Sequence, residues 1–158
     1  MKKITSLLLL LCVSLSFGQV VLDENFEAGL TLPTGWTNNE ITATGNIWTF
    51  ETGGNAPYFG AGNTAFYTLG GFDGNYAVLD SDFYGGGPEE TALESPVFDC
   101  SAFTTVKVTY DHFFVGGYGG AAYVEVYDGT AWVEVASYTS ANVADDTGEY
   151  GHVILDVS

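Results

Sequence analysis

The stretch from Ala92 to Tyr138 limits what this chain can become, because its apolar residues recur at every second position. Val106, Val108, Tyr110, His112 and Phe114 share one face of an extended segment, with Lys107, Thr109 and Asp111 on the other. A period of two marks a half-buried strand, since successive side chains point to opposite faces. Upstream, ALESPVFDCSAF is a short apolar run punctuated by Pro96 and the corner Asp99–Ser101. Downstream, Gly116, Gly117, Gly119 and Gly120 form a loop before Tyr123–Tyr127, where Val124 and Val126 alternate with Glu125. Asp128-Gly129 reads as a hairpin turn, both residue types tolerating the positive φ of tight turns. Trp132–Val135 is the returning strand.

The 158 residues allow one domain with a sizeable core. Residues 1–18 read as a signal peptide: Lys2 and Lys3 supply the positive start, and Ile4–Val13 is too short to span a bilayer. Ser16-Phe17-Gly18 places small residues where a signal peptidase reads, so cleavage after Gly18 leaves a mature chain of residues 19–158. A lipoprotein signal at Cys12 is the rival, opposed by Leu11 where a small residue is needed. The mature chain is expected outside the cell or at its surface, with no later apolar run long enough for membrane insertion.

Export removes two of the three basic residues, so twenty acidic residues face Lys107 alone and the net charge falls from −17 to −19. Such a field repels phosphate backbones and anionic lipids, which argues against nucleic acid as a partner. It attracts cations. An aromatic content of 15% supports a folded chain rather than a disordered one. Cys100 is unpaired once Cys12 has left, so no internal disulfide holds the domain, and it reads as a small buried hydrophobe.

Along the mature chain, Val20–Leu22 is expected as a short opening strand. Pro33-Thr34-Gly35 is a turn that delivers Trp36 to the core. Ile47–Phe50, Ala65–Leu69 and Asn75–Leu79 are further strands, separated by glycine-rich loops at Thr52–Asn63 and Gly85–Pro88. No sustained 3.6-residue stripe occurs. Many short strands between turn clusters imply an all-β fold, an antiparallel β-sandwich of jelly-roll type. The last segment, Tyr150–Val157, alternates like a strand, yet the sequence stops at Ser158 without a turn or closing partner. Missing last strands and a longer polypeptide are therefore expected.

Phe26-Glu27, Pro33-x-Gly35-Trp36-Thr37 and Trp48 resemble the opening of the bacterial choice-of-anchor J and cleaved-adhesin jelly rolls, whose plan animal MAM domains share. The second half is more similar: Asn75-Tyr76-Ala77, Asp80-Ser81-Asp82, Leu93–Asp99, Val108–Phe114, Val124-x-Val126 and Gly129–Trp132. The resemblance runs from about Leu22 to the end. It implies a non-catalytic module of a large secreted or surface protein, often of the Bacteroidetes type, covalently linked to further domains. Adhesion or substrate targeting follows from it, with an extracellular glycan or protein surface as partner. No C-terminal sorting domain is visible.

Two sets of site candidates remain. Asp80 and Asp82 with Glu27, and with Asp23 or Asp73, offer hard oxygen ligands suited to calcium. Carboxylates two apart in an extended segment point the same way, so Asp80 and Asp82 are expected to share an ion. The resemblance implies a structural Ca²⁺ near the N-terminal strand. The competing reading is a solvated acidic strand end. Tyr84, Tyr118, Tyr58 and Phe59 lie in glycine-rich loops, where rings either stack on sugars or fold over the sandwich ends. Trp36, Trp48 and Trp132 are read as core. Catalysis finds no support: His112 and His152 lie on strand patterns, and neither a nucleophile elbow nor a phosphate loop is present. A carbohydrate-targeting module of a secreted hydrolase and a ligand-free, calcium-stiffened spacer are the alternatives to adhesion.

Overall fold

The computed structural model describes residues 18–53, 74–84, 87–115, 119–143 and 148–158, without the side chains of Asp82 and residues 148–150. The signal segment 1–17, the expected strand Ala65–Leu69, and Asp73, Tyr58, Phe59 and Tyr118 lie outside the described residues. The fold is all-β and antiparallel. Its strands are β1 (Thr37–Glu40), β2 (Thr49–Thr52), β3 (Asn75–Val78), β4 (Thr91–Glu94), β5 (Lys107–Val115), β6 (Ala121–Tyr127), β7 (Trp132–Thr139) and β8 (Gly148–Asp156). One helical turn, α1 (Ser81–Tyr84), interrupts them.

The pairing is nested twice. β2 pairs with β3 inside the pair β1–β4, and β6 pairs with β7 inside the pair β5–β8. The first half is tied by side chains as well as by ladders. The Asn38 amide accepts from the Trp48 backbone N–H at 3.2 Å and donates to its carbonyl at 2.7 Å, so one side chain does the work of a strand neighbour. The Pro33–Trp36 turn closes through a Trp36 N–H to Pro33 carbonyl bond of 3.1 Å. Gly35 holds φ at +83° there, and a Cβ would meet Pro96 at 3.0 Å, so both conformation and space demand glycine. Trp36 leaves this turn half-buried, edge-on to Phe26 at 5.8 Å.

Phe26 is itself in the left-handed region, at φ 60°, which costs a bulky residue about 1–3 kcal/mol. Its ring between Trp36 and Phe50, and its N–H on Glu24 Oε1 at 2.6 Å, offset that strain. Val20, Val21 and Leu22 form no strand and are exposed. The expected opening strand gives way to this loop because the Asn25 carboxamide and the Glu24 carboxylate bind the local backbone instead.

The second half carries the long ladders. β8 pairs with β5 along its whole length, from Lys107 opposite Asp156 to Val115 opposite Gly148. The final strand therefore has a partner, contrary to the expectation of an unpaired edge, and the partner lies across the β6–β7 hairpin rather than next in sequence. Val108, Tyr110, His112 and Phe114 face inward, as their alternation requires. The two ladders meet through Tyr138 of β7. Its hydroxyl is 2.7 Å from that of Tyr110, and its ring lies 4.1 Å from His112 and 6.1 Å from Phe114. Two layers with rings between them is the arrangement of a β-sandwich. Among the described residues, Tyr76 and Val143 are the buried hydrophobic residues.

Candidate functional site

The β6–β7 hairpin turns three aromatic residues to solvent on one face. On β6, Ala122, Val124 and Val126 turn inward while Tyr123, Glu125 and Tyr127 turn to solvent. Across the ladder Tyr127 stands opposite Trp132 and Glu125 opposite Glu134. Tyr123 is 58% exposed, Tyr127 48% and Trp132 51%. The Tyr127 and Trp132 rings lie 5.5 Å apart, tilted by 56°.

Trp132 therefore is not a core residue, which corrects the sequence reading. The cause is a β-bulge. The register slips between Val124, opposite Ala136, and Glu125, opposite Glu134, which leaves Val135 without an opposite residue. One extra residue reverses the facing of everything beyond it. Trp132 and Tyr138 are six positions apart and would share a face in a regular strand. The bulge sends Tyr138 inward to His112 and leaves Trp132 outside. Val124 and Val126 remain half-buried on the inner face.

The turn that holds this face is built on Asp128. Gly129 takes the positive φ, 98°, but Asp128 does not. Its Oδ1 instead accepts the Thr130 N–H at 2.7 Å, the Thr130 hydroxyl at 2.7 Å and the Ala131 N–H at 2.9 Å. These bonds hold its carboxyl below the ordinary aspartate range, the Thr130 hydroxyl contributing most. At the far end of β7, the Asn142 carboxamide takes the Thr139 N–H and gives to the Ser137 carbonyl, each at 2.7 Å. That amide occupies backbone groups an edge strand would otherwise offer to another chain.

The other candidates are placed as follows. Asp80 and Asp82 do not lie in an extended segment: Ser81–Tyr84 is helical, and Asp80 Oδ1 caps it by accepting the Phe83 N–H at 3.3 Å. The extended backbone on which the expected shared face depended is therefore replaced by a helical turn. Glu27 Oε1 accepts the Asn75 N–H at 2.9 Å and rests on Gly74, where a Cβ would collide with it. Asn75 in turn donates to the Phe26 carbonyl at 3.2 Å, so Phe26-Glu27 and Asn75-Tyr76 clasp each other. Asp23 is exposed. Among the described residues no three His, Cys, Asp or Glu side chains gather as a metal group. Tyr84 donates its hydroxyl to the Ile47 carbonyl at 2.6 Å and packs edge-on to Phe83 at 5.1 Å. That ring fastens α1 to the approach of β2.

The histidines sit apart from one another. His112 is half-buried with its Nε2 against Gly151. His152 lies on the outer face, its Nδ1 2.7 Å from Asp111 Oδ1 directly across the ladder. Among the described residues no helix is long and apolar enough to cross a membrane.

No family model matches the chain, and neither a curated protein nor a solved structure matches it. The outer face of β6–β7 was absent from the sequence candidates, although its signal was present. Tyr123, Glu125 and Tyr127 occupy the positions that alternate with Val124 and Val126.

Proposed function

We propose that this chain is a non-catalytic binding module that acts outside the cell, a jelly-roll sandwich of the choice-of-anchor J and cleaved-adhesin type. In this reading residues 1–18 are removed on export. The module is covalently linked to further domains of a secreted or surface protein and holds that protein against an extracellular glycan or protein surface. The observation that supports it is the cluster of Tyr123, Tyr127 and Trp132 turned to solvent on one side of the β6–β7 ladder. Exposed rings of this size are costly to leave in water, and clustered ones mark interaction surfaces. Strands fix the rings in place, so little side-chain entropy is lost on contact.

The test is adhesion. Beads coated with the chain should be retained on surfaces bearing extracellular protein or glycan, and beads coated with the triple variant Y123A/Y127A/W132A should wash off. Equal retention of the two would remove the face from the function, and retention of neither would end the adhesion reading. A carbohydrate-targeting role is the same reading with a sugar as the retained surface.

A second reading, a calcium-stiffened spacer, draws on one observation. Glu27 rests against Gly74, the residue following Asp73. Glu27, Asp73 and Asp23, with Asp80 and Asp82 further along, are the carboxylates that would hold Ca²⁺, whose flexible shell accepts oxygen ligands of mixed kind.

A further inference from the structure

We infer that the partner of the β6–β7 face is a basic, arginine-bearing protein segment. The inference rests on the binding-module reading and names what that module holds. Its ground is the pair at the centre of the face. Glu125 and Glu134 stand directly opposite each other, between Tyr123 on one side and Tyr127 with Trp132 on the other. Like charges facing across a ladder oppose its formation. Among the described residues no positive charge is paired with either carboxylate. Lys107 is the sole basic residue beyond position 18, and it stands opposite Asp156 on another ladder. Among the described residues the one ion pair is His152 with Asp111, on the outer face of β5–β8.

A cation laid between the two carboxylates removes the repulsion and meets aromatic faces at the same time. Arginine suits both demands: its planar guanidinium forks onto carboxylates and stacks on Tyr and Trp rings. Tyr123 and Tyr127 are four residues apart on one strand, about 13 Å, which an extended segment of roughly four residues spans. A neutral sugar would satisfy the rings and donate its hydroxyls to the carboxylates, but it would leave the two charges facing each other. The net charge of −17 adds a long-range field that draws a basic partner in and repels anionic ones.

The test uses a synthetic peptide of alternating arginine and glycine, its lysine counterpart, and an array of neutral oligosaccharides. Binding to the chain is measured at several salt concentrations. The arginine peptide should bind more tightly than the lysine peptide and weaken as salt rises. E125Q/E134Q and Y127A/W132A should each weaken it at least tenfold, while E90Q/D99N, which removes as much charge elsewhere, should change it less than twofold. Melting scans confirm that each variant is folded. Equal losses for E125Q/E134Q and E90Q/D99N would reduce the effect to bulk charge and overturn the inference. Oligosaccharide binding at this face without peptide binding would also overturn it while leaving the binding-module reading intact. If no probe binds and the coated beads fail to adhere, both fall.

Discussion

His112 and Gly151 face each other across the β5–β8 ladder so closely that the imidazole Nε2 occupies the space a Cβ would take. The glycine is not there for its backbone freedom; it makes room for a ring that packs on Tyr138. Gly151→Ala should therefore push the imidazole against Tyr138 and cost about 1–3 kcal/mol, the usual penalty for overpacking. His112→Ala empties the space and carries its own packing loss. The double variant should be less destabilised than the sum of the two singles, and a denaturant-unfolding cycle measures the difference. Additive losses would mean that the contact is not what requires glycine.

Two aromatic residues of the same strand should differ widely in what their truncation costs. Tyr138→Ala removes a ring that joins both ladders and leaves the Tyr110 hydroxyl without that bond, so a loss of about 3–5 kcal/mol is expected. Trp132→Ala removes a ring that is 51% exposed, together with one cross-strand contact, and should cost about 1 kcal/mol or less. Chemical denaturation of both variants gives the comparison. A Trp132→Ala loss as large as that of Tyr138→Ala would return Trp132 to the core.

The sequence made the antiparallel β class legible because alternation survives wherever one face is buried. Val108–Phe114 and Tyr150–Val157 show it, and the structure pairs Val108–Phe114 with Glu149–Leu155 residue for residue. What alternation does not contain is the pairing partner, which is why the last strand looked solitary. It also cannot show a bulge: Val133 and Val135 alternate against Trp132 and Glu134, but the same phase would carry Tyr138 outward with Trp132, and only the extra residue separates them. Asp80-Ser81-Asp82 went astray for a local reason: an aspartate before a short polar run caps a helical turn as readily as it ends a strand. The aromatic face had a signal at Tyr123 and Tyr127, which alternate against Val124 and Val126, but rings in glycine-rich loops stand out more in sequence because no strand neighbour accounts for them. Tyr84 instead spends its hydroxyl on Ile47.

Acid should weaken the fold in part through three exposed aspartates at turns and a strand end. Asp128 is held low chiefly by the Thr130 hydroxyl, Asp99 by the Ser101 N–H, and Asp156 by the Ser158 hydroxyl. A carboxyl whose folded value is depressed stabilises the fold above its unfolded value, about 3.9, and loses that contribution as pH falls through the folded one. The contribution of these three groups to the melting temperature should be constant from pH 7 to about pH 5 and fall below about pH 4. Asp128→Asn keeps an acceptor oxygen but no charge, so its melting temperature should depend less on pH in the acid range. A variant curve parallel to wild type down to pH 2.5, the lowest point of the scan, would remove Asp128 from the effect.

Calcium provides a separate check on the N-terminal clasp. If Glu27 joins Asp73 in holding an ion, calcium raises the melting temperature by binding the folded state alone, and EDTA reverses the rise. Glu27→Gln keeps an oxygen for the Asn75 N–H and should retain most of the calcium-free stability while abolishing the calcium shift. Glu27→Ala should lose about 1 kcal/mol even in EDTA, because the Asn75 bond is gone. No calcium shift in the wild-type chain would dismiss the ion and leave the clasp as a hydrogen bond.

Deleting Val135 tests the bulge directly. Without the extra residue Trp132 and Tyr138 are five positions apart, so a regular ladder places them on opposite faces, as the bulged one does. The remaining residues of β7 keep their partners on β6, Glu134 opposite Glu125 and Ala136 opposite Val124. The loss should therefore be confined to one half-buried valine and the local closing of the bulge, about 1–3 kcal/mol, with Tyr138 still packed on His112. Changing Val135 to Ala keeps the bulge and should cost no more than the deletion, since only the side chain is lost. A deletion that loses as much stability as Tyr138→Ala would mean that Tyr138 has left the inner face, and that the two rings are not placed by this one extra residue.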